Sequence, residues 1–257
     1  MQNSKGMFTL SNCIQKHKII SATSVVPQAG NLHAEELKLL RLRAVGMIVL
    51  LAVMALPASA HDVEGLSKLS KTDVAFIYLQ LGFTHILPLG LDHILFVLSL
   101  FLLNPNLKSI LWQATAFTVA HTITLGLSIY EIVKAPAAII EPIISLSIMF
   151  VALENIISNK LRPGRIAVVF LFGLIHGLGF ASALTALGLP PNAYFTSLLM
   201  FNVGVELGQI TVILAAFLLL ALPFGKKKYY RSRVVIPLSA VIAAIALYWT
   251  VERIFFT

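Results

Sequence analysis

The chain has 257 residues, 58% hydrophobic and 12% charged, with a mean hydropathy of +0.89. That balance excludes an ordinary soluble domain and indicates an integral membrane protein. The formal charge of +8 does not indicate nucleic-acid binding, because the basic residues fall in short loops between apolar runs, where they set topology.

Cysteine chemistry is excluded by the same census. The one cysteine, Cys13, lies in the N-terminal prefix, so neither disulfides nor thiolate ligands are on offer. Methionine is no better placed, because only Met149 and Met200 follow Ala60, too few for a soft thioether pathway.

In chain order, residues 1–40 form a polar extension without core-forming periodicity. Arg41 and Arg43 then precede an apolar run from Ala44 to Leu56, Pro57 and Ala58-Ser59-Ala60. This is the layout of a signal peptide over 41–60, since the run is too short to cross a bilayer core of about 30 Å. The expected mature chain begins at His61, with a periplasmic segment over 61–73. The length of residues 1–40 suits a start codon assigned too early; an uncleaved anchor is the alternative.

Six hydrophobic spans follow, at about 74–103, 109–130, 136–157, 166–187, 194–222 and 234–254, bounded by Pro136, Pro163-Gly164, Pro190-Pro191 and Pro223. The first is too long for one straight crossing, at about 45 Å for some thirty residues. Pro88 and Gly90 interrupt it, which predicts a half-helix through His85, a break, and a spanning helix from Leu91. The expected fold is an all-α membrane protein, a six-helix transmembrane bundle with a Pro/Gly-broken first helix behind a cleavable signal peptide. The loops assigned to the cytoplasm hold Lys108; Lys160, Arg162 and Arg165; and Lys226, Lys227, Lys228, Arg231 and Arg233. The opposite side has Lys134 and Arg253, with Lys68 and Lys71 in the N-terminal segment. By the positive-inside rule, both mature termini are expected on the external face, which is periplasmic where the membrane is a bacterial inner membrane.

Ionisable groups inside these spans carry the chemistry. A charge at mid-bilayer costs about 2.5–3.5 kcal/mol on the lenient scale, so it needs a use or a partner. Gly82-Phe-Thr-His85 with Gly90-Leu-Asp92-His93 straddles the break, and on a straight helix His85 and Asp92 would stand about 10.5 Å apart. A bend closes that gap. Asp92 is then either a ligand or an acceptor that orients His93. His121 follows Thr118 by one turn, and His176 sits between Gly173 and Gly177, whose spacing permits close helix approach. Phe117-Thr-Val-Ala-His121 and Phe172-Gly-Leu-Ile-His176 echo each other, too briefly to establish a duplication.

Further polar groups extend this set. Glu141 and Glu154-Asn155 mark opposite ends of the third span, and Asn202, Glu206 and Gln209 form one stripe on the fifth. That stripe is expected to face the bundle interior, with interhelical hydrogen bonding as the ordinary alternative to cation handling. With no Lys or Arg among these positions, the carboxylates are expected to lack fixed cationic partners, and a dication supplies the missing charge. The expected metal ligands are His85, Asp92, His93, His121, His176 and Glu206. His61, Asp62, Thr118, Glu141, Glu154, Asn155, Asn202 and Gln209 are assigned to the path or to outer contacts.

These segments resemble the HupE/UreJ family of bacterial membrane proteins. The matching residues are His85 with Gly90-x-Asp92-His93, Phe117-Thr-x-Ala-His121-Thr, Glu141-Pro, Glu154-Asn155, Phe172-Gly-Leu-Ile-His176-Gly-Leu-Gly-Phe180-Ala, and Phe201-Asn202-x-Gly-x-Glu206-x-Gly-Gln209. The resemblance covers about residues 75–215. It implies uptake of nickel, sometimes cobalt, with the His/Asp-His motif of the first span essential. Here six residues separate His85 from Asp92, closer to the broader second branch of the family than to its hydrogenase-linked members.

The expected function is therefore a secondary permease for nickel or another borderline divalent ion; cobalt, zinc and iron suit the same donors. No Gly-x4-Gly-Lys-Ser/Thr motif is present, so energy would come from an ion gradient, the membrane potential or cytoplasmic trapping. The expected partners are the metal ion and the bilayer, without nucleic acid; a homo-oligomer and a cytoplasmic metal acceptor stay open. An intramembrane zinc hydrolase using the same residues is the alternative, and a haem protein with His121 and His176 as axial ligands is a second one.

Overall fold

The structure is a computed structural model that describes residues 69–187, 189–190 and 193–256. The expected extension and signal peptide, with His61 and Asp62, lie outside the described residues. Among the described residues every regular element is helical and no strand occurs.

Helix α1 (Lys71–Ile86) starts where Ser70 caps it, its hydroxyl accepting from the Asp73 amide at 3.2 Å, and Asp73 complements the positive helix end. It stops at Leu87, held extended before Pro88 as a residue preceding proline must be. The Leu87–Pro88 peptide is cis. Helix α2 (Leu91–Leu103) restarts from Gly90, where a side chain would strike the His85 carbonyl and Ile86, so the two helix ends meet only because residue 90 has no Cβ. The pair is bent by 67°. The break stands where expected, but α2 is not a spanning helix. Its 13 residues reach about 20 Å, short of a bilayer core, so α1 and α2 share the task between them.

Helix α3 (Leu107–Ile129) is capped by Asn106, whose side chain accepts from the Ser109 amide. Helices α4 (Ala137–Ile157), α5 (Arg165–Leu187) and α6 (Tyr194–Ala216) follow, α6 continuing through a π-helical stretch (Phe217–Ala221) and a closing turn (Leu222–Phe224). A second π-helical stretch (Arg231–Val235) leads into α7 (Ile236–Phe255). Five of these segments are long and apolar enough to cross a membrane, and the bent α1–α2 pair makes up to a sixth.

Packing is pairwise. Helix α1 lies along α6, α3 along α5, and α4 along α7, while α2 touches α4 and α6 most. Glycine sets two of these seams. Gly82 meets the Phe201 backbone and Gly204 the Leu79 carbonyl between α1 and α6, and Gly173 and Gly177 meet the Phe117 and His121 carbonyls between α5 and α3. Helix backbones approach this closely only where Cβ atoms are missing, and the approach multiplies dispersion contacts that lipid cannot supply. The α4–α7 pair uses arginine instead. Arg231 donates to the Asn155, Ile156 and Ser158 carbonyls at one end of α4, and Arg253 to the Glu141 carbonyl at the other. The Arg231 bonds answer carbonyls that the helix end leaves short of donors, whereas the Glu141 carbonyl takes Arg253 in addition to the Ser145 hydroxyl.

Candidate metal site

The bend brings His85, at the end of α1, against His93, at the start of α2, with ring centroids 4.7 Å apart. Successive residues on a helix point about 100° apart, so a bend that turns His93 toward His85 turns Asp92 away. His121 joins from α3, its ring 6.0 Å from His93 and 6.4 Å from His85, and His176 from α5, its ring 5.1 Å from His93. One ligand nitrogen from each of His85, His93 and His121 lies within 4.8 Å of the other two. The glycines of the α3–α5 and α1–α6 seams make this convergence sterically feasible.

Two of the rings have their tautomers set by neighbours. The Asn202 Nδ2 donates to the Leu198 carbonyl at 2.8 Å, so its Oδ1 is the atom facing His121 Nδ1 at 3.1 Å and accepts from it. His121 Nε2 then carries a lone pair. Similarly, the Ser147 hydroxyl donates to the Ile144 carbonyl at 2.6 Å and accepts from His176 Nε2 at 3.0 Å, which leaves the lone pair on Nδ1. His85 Nε2, His93 Nε2, His121 Nε2 and His176 Nδ1 are all buried without a hydrogen-bond partner among the described residues. Buried polar atoms are nearly always paired, so four unpaired imidazole nitrogens in one cluster are an exception that needs a physical account. The Phe180 ring lies 3.8 Å from His85, tilted by 41°, and Phe96, Phe117 and Phe201 also pack against the imidazoles.

A cavity of about 450 Å³ reaches the cluster; His85, His93 and His176 line it together with Asp92, Glu141, Trp249 and Arg253. The carboxylates are handled otherwise than expected. Asp92 Oδ2 accepts from Arg253 Nη2 at 2.9 Å, and Glu154 Oε2 from Arg165 Nη1 at 2.7 Å, so both have the fixed cationic partners that the sequence reading denied them. Arg165 and Arg253 had been assigned to loop and tail, but each folds inward from a helix end. Glu206 is not in the group of converging ligand atoms. It is only half-buried and accepts from the Thr115 and Thr118 hydroxyls at 2.7 and 2.5 Å, so the stripe it shares with Asn202 and Gln209 does not wholly face inward.

The other expected path residues fall into separate roles. Thr118 serves Glu206 and not His121. Asn155 ties α4 to the Ser99 carbonyl and to Ser239 at 2.7 and 3.3 Å. Gln209 is fully buried, with both amide atoms unpartnered. Phe117, Phe180 and Phe201 entered the sequence reading only within the family motifs, and Ser147, Phe96, Trp249 and the inward role of Arg253 were missed. Of these only Arg253, a lone cation four residues after Trp249 in an apolar helix, offered a signal.

Fold and site together define a polytopic helical membrane protein with a buried, largely unpartnered imidazole cluster beneath a charged mouth. The chain belongs to the HupE/UreJ family: the family model, described as HupE / UreJ protein, matches residues 61–253. Comparison with curated proteins and with solved structures gave no match.

Proposed function

We propose that the protein is a secondary permease for a borderline divalent transition metal, with nickel the first candidate and cobalt, zinc and iron sharing its donor preferences. The observation that carries this reading is the convergence of four imidazoles, each with an orphaned nitrogen, in a cluster with no carboxylate among its rings. Imidazole donors suit nickel, cobalt, zinc and copper and are poor for magnesium or calcium, which demand oxygen. His85, His93 and His121 would supply the first three bonds and His176 a fourth. Asn202 and Ser147 would hold two of the rings in the ligating tautomer. An ion takes nitrogens about 2.0–2.1 Å from itself, so loading would draw the three rings inward from their present spacing.

Charge asymmetry supports a direction of access. The cavity opens among Asp92, Glu141 and Arg253, at the start of α2 and α4 and the end of α7. The basic loops lie at the opposite ends of these helices, so the mouth would face the periplasm and Glu154 the cytoplasm. The alternatives fit less well. A zinc hydrolase needs a carboxylate base beside its bound water; Asp92 is ion-paired, and Glu141, the other carboxylate of the cavity, is not in the group whose ligand atoms converge. A haem between His121 and His176 would have to displace His93, whose ring packs close to both.

Uptake of radioactive Ni²⁺ by cells expressing the protein tests the proposal. Accumulation above vector control, abolished in His93→Ala and His121→Ala at equal membrane abundance, is the expected result. Accumulation unchanged in both variants would overturn it.

A further inference from the structure

Four neutral imidazoles can bind a dication but cannot cancel its charge, and an uncompensated charge in a buried site is costly. The carboxylates lining the same cavity are Asp92 and Glu141, and a guanidinium already occupies the first. Arg253 reaches Asp92 from the last turns of α7 with one bond, Nη2 to Oδ2 at 2.9 Å. Its other nitrogen, Nη1, is anchored on the Glu141 carbonyl at 3.1 Å, and its planar head lies 5.6 Å from the centroid of the Trp249 ring. The Arg253 and Asp92 side chains are 20% and 24% exposed, against 4% and 12% for Arg165 and Glu154. Partly exposed pairs add little net stability and are readily exchanged; enclosed pairs are not. Of these two arginine–carboxylate pairs, the one at the cavity mouth is the looser.

We infer that Arg253 is a tethered competitor cation, masking Asp92 at the mouth of the imidazole cavity and yielding it when a divalent metal ion arrives. With Arg253 in place, the two carboxylates and the guanidinium leave a bound dication with one charge uncancelled. Once Arg253 leaves the cavity, Asp92 and Glu141 together neutralise the ion. One bond to Asp92 and one to the Glu141 carbonyl hold the partly exposed guanidinium, so its exit needs only a side-chain swing at the end of α7. Such a device selects for divalent charge, because a monovalent ion gains less than the guanidinium gives up. It also keeps Asp92 paired whenever the site is empty.

The inference rests on the metal-site reading, and one experiment separates their failures. Calorimetric titration of NiCl₂ into the full chain in lipid nanodiscs is run on wild type, Arg253→Gln, Asp92→Asn, the double variant and His93→Ala. Wild type is expected to bind and His93→Ala to lose binding. Arg253→Gln is expected to bind about tenfold more tightly than wild type, and the double variant to lose that gain. Equal or weaker binding by Arg253→Gln, while wild type binds and His93→Ala does not, overturns the masking role alone. No binding by wild type overturns the metal site and the mask with it. Should Arg253→Gln not fold, Arg253→Lys replaces it. A lysine lacks the planar fork that spans Asp92 and the Glu141 carbonyl from two separate nitrogens and holds them less firmly, so a gain of about two- to fivefold is expected, and no gain overturns the inference.

Discussion

At the basic end of the bundle, Glu154, Arg165 and Gln113 engage one another at 2.7 and 3.0 Å. The imidazoles nearer the other end meet largely through ring faces and edges, and each leaves a nitrogen unbonded. Both assemblies are buried and polar, and both link helices distant in sequence. In the first, opposite charges complete each other, so the protein alone satisfies most of its needs. In the second, neutral lone pairs face a common space that no protein donor fills. Self-completing polar networks hold helices together; on the proposed reading, the incomplete one is completed by the metal ion.

Breaking the first assembly should cost stability. Arg165→Ala leaves Glu154 buried without its cation and is expected to destabilise the bundle by about 3–5 kcal/mol, read as a fall in unfolding midpoint in nanodiscs. Breaking the second should cost binding. His93→Ala is expected to weaken Ni²⁺ affinity by more than about 100-fold, beyond the 10–100-fold typical of groups that only orient a ligand, with a smaller loss of midpoint than Arg165→Ala. If instead His93→Ala unfolds the protein and Arg165→Ala does not, the contrast is reversed.

Milder changes sharpen the comparison. Asn202→Leu removes the acceptor that fixes the His121 tautomer and is expected to lower Ni²⁺ affinity by about 10–100-fold, with Asn202→Asp restoring most of it. Lys134→Ala breaks an exposed pair with Glu131, whose side chains are 70% and 74% accessible, and should shift stability by less than about 1 kcal/mol without touching binding. A large effect there would mean that charge pairs matter wherever they lie, and burial would no longer explain the difference between the two ends.

Much of this was legible beforehand, for physical reasons. Hydropathy and proline positions place helices well because a bilayer demands apolar segments of fixed length, and the helix ends fall within a turn of the expected spans. The break at Pro88–Gly90 followed from backbone chemistry, and the four histidines stood out because imidazoles are rare among Leu, Ile and Phe. Which neighbours the other polar groups would choose was not legible. Asp92 and His93 are adjacent in sequence, and only the sense of the bend decides which of them turns to His85. Arg165 and Arg253 sit at span ends, where a long side chain can snorkel outward or fold inward, and composition does not distinguish the two. The half-exposed position of Glu206 depends on the rotation of α6 about its axis, which the Gly82, Gly204 and Gly208 seam with α1 fixes.

The central claim is that the imidazoles are jointly a metal site. X-ray absorption at the nickel edge, on Ni²⁺-loaded protein and its His85→Ala, His93→Ala and His121→Ala variants, tests it most directly. The account expects a nitrogen-dominated shell with imidazole scattering from at least three rings, weakened in each variant. An oxygen-dominated shell indifferent to all three substitutions would contradict it.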